Sequence, residues 1–300
     1  MKVVFQSIVP IFILAVALIA CKKETITPQP DDTNTPPAVA VYDSTQSYTL
    51  TDISYGNDPQ QKMDIYLPAN RSKDSTKVFI LIHGGGWSSG DKADFVYFFN
   101  TLKLYYPHHA IVNINYRLGT YLSPGYPKQI QDIQQAINHI QHPNYQLESE
   151  YFIFGNSAGG HLGMFYGYRY DTLHQVKAIC NTVGPADFTD VSYTGNSVYD
   201  YALSSFVGPI TYAQNPTLYA EVSPVKYITA NSPKTISFYG DNDPLIPATQ
   251  MGILHNELTT KGVYNESTQY AGEGHGNWNQ TNSNDYTAKI ANFINQHFNY

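Results

Sequence analysis

Residues 152–162 read FIFGNSAGGHL. The apolar run 151–154 leading in has the character of a buried strand. Residues 161–168 leading out suit a helix. Between them Gly155-Asn156-Ser157-Ala158-Gly159 matches G-x-S-x-G. A serine placed between a strand and a helix must sit on a sharp turn, and the glycines at 155 and 159 let the flanking backbones pass. Such a turn holds the Ser157 hydroxyl clear of the main chain. It also aims the Ala158 N–H, at the start of the next helix, toward a developing oxyanion. Alone, the pentapeptide is also compatible with a plain glycine-rich turn, so its reading depends on partners elsewhere.

Strand and helix patterns alternate outward from this stretch. Residues 77–82 (KVFILI) form a continuous apolar run, as expected of a central parallel strand, and lead straight into His83-Gly84-Gly85-Gly86-Trp87. Residues 110–114, 176–183, 235–239 and 266–271 read as further strands, and 48–55 with 62–67 as a hairpin across Gly56-Asn57-Asp58-Pro59. Helices are predicted over 91–105, 128–141, 247–261 and 285–298. The second carries Ile130, Ile133, Ile137 and Ile140 as a one-sided stripe. Residues 189–219 are less regular and read as an insertion lying over the site, with Tyr193, Tyr199, Tyr201 and Phe206 shaping a pocket. The order predicts an α/β fold with about eight strands, a mostly parallel sheet and helices on both faces. Ligands of such sheets bind beyond the carboxyl ends of the strands, where all the unusual loops of this chain fall.

A serine hydroxyl needs a base to take its proton and an acid to hold that base. Two aspartates compete for the acid in Gly240-Asp241-Asn242-Asp243-Pro244-Leu245-Ile246-Pro247. Asp243 has the better position, three residues past Gly240, while Asp241 suits a turn cap. The base is expected at His275, the histidine within a glycine-rich loop at a strand end (Gly272-Glu273-Gly274-His275-Gly276). The order Ser157, Asp243, His275 is neither that of chymotrypsin nor that of subtilisin. The glycine run after residue 82 offers backbone N–H groups unobstructed by side chains. Gly84 and Gly85, with Ala158, are the expected oxyanion donors, and Gly86 or Trp87 are substitutes. His83 is expected to hold the loop by a hydrogen bond. Arg117 and Asp132 are expected to pair behind the sheet, against the alternative that Asp132 is a helix-surface charge.

Taken together, HGGGW (83–87), NINYRL (113–118), GNSAGGHL (155–162), GDNDPLIP (240–247) and GEGHG (272–276) resemble the α/β-hydrolase superfamily. More narrowly they are similar to its HGGG-loop esterase/lipase group, with hormone-sensitive-lipase-like and feruloyl-esterase-like branches. The likeness runs from about residue 48 to 300. It implies a carboxylic-ester hydrolase with Ser157 as nucleophile, Asp243 as acid and His275 as base. Asn156 stands where related elbows often carry Asp or His. Another serine hydrolase, a peptidase or an arylformamidase, would use the same three residues. A ligand-binding lipoprotein on the same fold is the alternative of a different class.

Composition bounds the rest. The chain has 300 residues, 42% of them hydrophobic, and a net charge of −7, which argues against nucleic acid as a partner. Tyrosine is abundant at 26 residues while charged residues make up only 14%, a surface suited to sugar or aromatic ligands. The expected substrate is a small ester or an acylated carbohydrate, such as acetyl or feruloyl groups on plant polysaccharide. Residues 1–20 read as an export signal, with Lys2 and the apolar run 10–20 (PIFILAVALIA), which is short for a bilayer span. Leu18-Ile19-Ala20-Cys21 resembles a bacterial lipoprotein lipobox, which implies lipid attachment at Cys21 and, with Lys22 next, outer-membrane sorting in the cell envelope. Residues 21–46, rich in Pro, Thr and Asp, read as a disordered tether, and 47–300 as the catalytic domain. Cys180 falls in a predicted strand and reads as a buried, inert thiol. Neither cysteine has zinc-site spacing, and no metal or organic cofactor is expected. No pattern in the chain speaks to oligomeric state.

Overall fold

The computed structural model describes residues 40–195 and 197–299. The expected export signal, Cys21 and most of the expected tether lie outside the described residues. One eight-stranded sheet runs through the domain, from β1 (Tyr48–Ser54), β2 (Lys62–Leu67), β3 (Val78–Ile82) and β4 (Ala110–Ile114) to β5 (Tyr151–Asn156), β6 (Val176–Thr182), β7 (Lys234–Gly240) and β8 (Asn265–Tyr270). Their spatial order is β1-β2-β4-β3-β5-β6-β7-β8. β2 is antiparallel to β1 and to β4, and every later pairing is parallel.

The apolar runs of the middle strands feed two cores at once, because successive side chains leave a strand on opposite faces. On β3, Val78, Ile80 and Ile82 enter one core while Phe79 and Leu81 enter the other. The first core is closed by α2 (Lys128–Ile140), α3 (Ala158–Phe165) and α6 (Thr249–Thr260), and the four isoleucines of the α2 stripe are all buried in it. The second is closed by α1 (Val96–Tyr105) through Phe99 and Leu102, and by α7 (Gln280–His297) through Ile290, Phe293 and Ile294. A sheet covered on both faces leaves its strand ends as the place for a site.

The structure departs from the sequence expectations at element ends and in the insertion. Asp91 does not open an α-helix. Its side chain caps a short 3-10 turn over Lys92–Phe95, and α1 follows. The last helix begins at Gln280 rather than 285, because the Asn279 side chain accepts the Asn282 N–H and caps a polar first turn. The irregular 189–219 segment contains α4 (Ser197–Val207) and leads into α5 (Pro216–Glu221), which is capped by Asn215. The expected tether also ends early. Tyr42 stacks on Tyr145 with centroids 5.8 Å apart. Buried Arg71 donates to the carbonyls of Tyr42 (2.9 Å) and Gln46 (2.8 Å), so the chain is fixed to the domain from residue 42 onward.

Candidate active site

Ser157 joins β5 to α3 at φ 53° and ψ −120°, a conformation that non-glycine residues rarely adopt. Its N–H donates to the Thr182 carbonyl (2.8 Å), and its carbonyl accepts from the His161 N–H (3.0 Å). The turn is therefore pinned to β6 on one side and to α3 on the other. The flanking glycines are required by contact. A Cβ on Gly155 would lie 2.2 Å from the Gly159 carbonyl oxygen, and one on Gly159 would lie 2.0 Å from that of Ile82. The elbow thus crosses directly over the end of β3, where the glycine loop starts.

The three residues predicted as nucleophile, base and acid come together although far apart in the chain. His275 Nε2 lies 2.9 Å from Ser157 Oγ, and His275 Nδ1 lies 2.7 Å from Asp243 Oδ2. The Asp243 side chain is 1% exposed. Its other oxygen accepts from the N–H groups of Leu245 (2.8 Å) and Ile246 (3.0 Å), which fixes the carboxylate toward the imidazole. Asp241 has a different place: it accepts the Gly272 N–H (2.6 Å) and so ties the loop after β7 to the loop after β8.

The glycine loop passes beside the serine. A Cβ on Gly84 would lie 3.2 Å from Ser157 Cβ. Gly85 turns at φ 108°, and a Cβ there would strike the Ser89 carbonyl oxygen at 2.1 Å. Among the described residues, the N–H groups of Gly84, Gly85 and Ala158 meet no protein acceptor. His83 is buried and its Nδ1 lies 2.7 Å from the Gly84 carbonyl oxygen, with the ring stacked on Tyr116 at 4.3 Å. Burial lowers its pKa, which keeps the ring neutral with a proton on Nδ1 to donate.

Several supporting residues were not legible in advance. His161, fully buried on α3, accepts the Trp87 indole N–H at Nδ1 (3.2 Å) and faces the Val222 carbonyl with Nε2 (2.8 Å). Burial pushes its pKa down to about 4, so a neutral ring with one acceptor and one donor nitrogen fits both contacts. Phe206 of α4 stacks on Trp87 at 5.3 Å, and Phe188 packs on its edge. The insertion therefore braces the glycine loop from behind. Tyr193 is buried in the same aromatic group, whereas Tyr201 is exposed. Gln129 of α2 donates to the carbonyls of Trp87 (2.7 Å) and Arg117 (3.0 Å). Cys180 is a buried free thiol, pushed up to about 12 by burial.

Glu273 organises the histidine loop. Its carboxylate accepts from the Asn279 N–H (3.1 Å), the Asn279 side-chain amide and the Asn282 side-chain amide (2.7 Å), and its carbonyl accepts the Asn242 N–H (3.0 Å). The loop bearing His275 is thereby tied to the start of α7 and to the loop bearing Asp243. Glu273→Gln turns an NH2 group toward these donors. It is expected to lower stability by about 1–2 kcal/mol, read from the urea unfolding midpoint. An unchanged midpoint would show that the donors do not depend on the charge.

With this geometry in view, the comparisons with known proteins decide the family. The BD-FAE family model matches residues 63–258, nearly two-thirds of the chain. This chain belongs to the BD-FAE family. BD-FAE membership accords with the α/β-hydrolase fold built above. The chain is 25% identical over 241 residues to the esterase LipC of Mycobacterium tuberculosis, a match that covers 75% of this chain and 59% of LipC. It therefore spans little more than half the length of that relative. Among solved structures, a truncated carbohydrate esterase from gut microbiota superposes with a TM-score of 0.67 at 23% identity, over 86% of this chain and 99% of the other. The bifunctional GH43-CE protein of Bacteroides eggerthii gives the same TM-score at 26% identity, over 84% of this chain and 38% of the other.

Proposed function

We propose that this chain is a serine carboxylic-ester hydrolase that works through an acyl-enzyme. The observation that carries the reading is the continuous relay from the Asp243 carboxylate through His275 to the Ser157 hydroxyl, with spacings of 2.7 and 2.9 Å. BD-FAE membership and the likeness to an esterase support it. In this mechanism Ser157 Oγ attacks the ester carbonyl carbon as its proton passes to His275 Nε2. The carbonyl oxygen becomes an oxyanion held by the N–H groups of Gly84, Gly85 and Ala158. As the tetrahedral centre collapses, the alkoxide leaves and takes the proton from Nε2. Water then repeats the sequence on the acyl-enzyme, releasing the acid and restoring the serine. Asp243 holds the imidazole with its Nδ1 proton toward the carboxylate and stabilises the charged ring.

The substrate reading is an acetyl or feruloyl ester on polysaccharide. Exposed aromatic residues such as Tyr97 and Tyr201 support it, and the likeness in fold to a carbohydrate esterase is in keeping with it. A fluorophosphonate probe should label the protein in proportion to its concentration, and 4-nitrophenyl acetate should release its alcohol in a burst equal to the enzyme present. A chain that neither reacts nor turns over would be a ligand-binding protein on this fold. Faster cleavage of formanilides than of matched esters would place it instead among amide hydrolases.

The envelope location is part of the same proposal. Cys21, as the first residue after signal cleavage, would carry the lipid and hold the domain at the membrane through the tether. Radiolabelled palmitate fed to a producing bacterium should enter the wild-type chain and not Cys21→Ser. Equal labelling of both would remove Cys21 as the attachment site.

A further inference from the structure

β6 ends in a turn unsuited to the residue that occupies it. Asn181 Oδ1 accepts the Gly184 N–H (3.0 Å), and the Tyr239 hydroxyl donates to the Gly184 carbonyl (2.8 Å). Just before this anchor the Val183 N–H donates to the Phe238 carbonyl (2.8 Å). The chain has to turn between these fixed points, and Val183 is held at φ 47°. Seven described non-glycine residues have a positive φ, and Val183 is the β-branched one among them. For such a side chain the left-handed region is a genuine outlier. Glycine would take the same conformation without strain, so the valine side chain supplies something that glycine does not.

The position of that side chain shows what it bears on. Val183 is fully buried, and the residue before it, Thr182, carries the carbonyl that accepts the Ser157 N–H. Val183 is thus one residue from the anchor of the serine turn. On its other side lies Gly276, the residue after His275. A Cβ on Gly276 would lie 3.9 Å from Val183 Cγ2 and 3.9 Å from Asn156 Oδ1, so these two side chains bound the space beside it. The Gly276 N–H donates back to the Gly274 carbonyl (3.0 Å), which folds the loop tightly around His275. A shift of Gly276 therefore carries the imidazole with it.

We infer that Val183 is a positioning residue: its branched side chain, held in a strained turn, bears on Gly276 and so sets the approach of His275 Nε2 to Ser157 Oγ. Strain of this kind persists where the surroundings over-determine it, and it collects at active sites. Here the same strand end holds the serine turn through Thr182 and the histidine loop through Val183, so both are referenced to one fixed piece of β6. Two of the other positive-φ residues, Ser157 and Trp87, belong to the same centre. The role in turnover rests on the ester-hydrolase reading, whereas the effect on the His275 ring does not.

Three variants separate positioning from packing. Val183→Gly removes the side chain and the strain, Val183→Ala removes the γ methyls and keeps the strain, and Val183→Thr keeps the branched shape but buries a hydroxyl. The urea midpoint of Val183→Gly should lie above that of Val183→Ala, and Val183→Thr should unfold more readily than wild type. With 4-nitrophenyl acetate, at a temperature where every variant is folded, kcat should fall about tenfold in both Val183→Gly and Val183→Ala while KM changes little. Val183→Thr should keep kcat within about twofold of wild type despite its lower stability. A residue that only packs the turn would make activity follow stability instead. In protein labelled with ¹⁵N-histidine, the His275 Nε2 resonance should move in Val183→Gly and Val183→Ala and stay in place in Val183→Thr. Three results would overturn the inference: a wild-type kcat in Val183→Gly, an unmoved Nε2 resonance in that variant, or a Val183→Gly midpoint below that of Val183→Ala. If the wild-type chain turns over no ester, the hydrolase reading falls, and the resonance and the midpoints alone decide the role of Val183.

Discussion

Ser157→Ala is expected to reduce kcat on 4-nitrophenyl acetate by about 10⁵–10⁶-fold, with loss of the alcohol burst and of fluorophosphonate labelling. The size follows from the way a nucleophile and its base act as a unit. Removing either one abolishes the covalent route, and what remains comes from oxyanion donors and binding, about 10³–10⁴ over water. The structure adds that this loss should be chemical and not conformational. Ser157 Oγ has His275 Nε2 as its contact, whereas the turn is held by main-chain bonds to Thr182 and His161 that alanine keeps. The positive φ strains alanine and serine alike, so the unfolding midpoint should move by no more than about 0.5 kcal/mol. A variant that still turns over at the wild-type rate, with its fold intact by circular dichroism, would end the acyl-enzyme reading.

How much of this was legible depends on the range of the signal. The strand at 77–82 could be read locally because a strand buried on both faces is apolar at every position, and Phe79 and Leu81 do face the opposite core from Val78, Ile80 and Ile82. Ser157, Asp243 and His275, which the structure brings within hydrogen-bond distance, could be singled out because sharp turns at strand ends draw glycine and proline around them. What could not be read was set by partners remote in the chain. His161 sits in an ordinary helix sequence, and only its neighbours Trp87 and Val222 give it a role. Tyr42 lies in a stretch of tether-like composition, and Arg71 and Tyr145 hold it. Residues 189–219 read as less regular, although they contain α4, because their apolar residues contact the glycine loop and α3, not a sheet face, so no single period dominates them.

Asp132 is the case where sequence left two readings open and packing separates them. It lies on α2 beside the isoleucine stripe and is fully buried, so it is no surface charge. Its carboxylate accepts from the Arg117 N–H (2.7 Å), from Arg117 Nε (2.9 Å) and from the Gln61 side-chain amide (2.7 Å), and lies 2.6 Å from Arg117 Nη2. The hydrogen bond to Asp132 raises the Arg117 pKa further above its usual value. Asp132→Ala leaves the Arg117 N–H without its acceptor and the half-buried guanidinium with the Lys128 carbonyl (3.2 Å) in place of a carboxylate, while the Gln61 amide keeps Gln135 Oε1 (2.6 Å). Breaking a buried pair from one side costs about 3–5 kcal/mol, and urea unfolding should show a loss of that size. Because Gln129, one turn earlier on α2, binds the carbonyls of both Arg117 and Trp87, the displacement of Arg117 should also reach the glycine loop. The expected signature is a fall in kcat beyond any change in KM, measured at a temperature where the variant is still folded. Asp132→Asn, which keeps an acceptor for the Arg117 N–H, should recover part of both losses. A stability change below about 1 kcal/mol in Asp132→Ala, the size typical of exposed pairs, would show that the ion pair is a bystander and that the glycine loop is held without it.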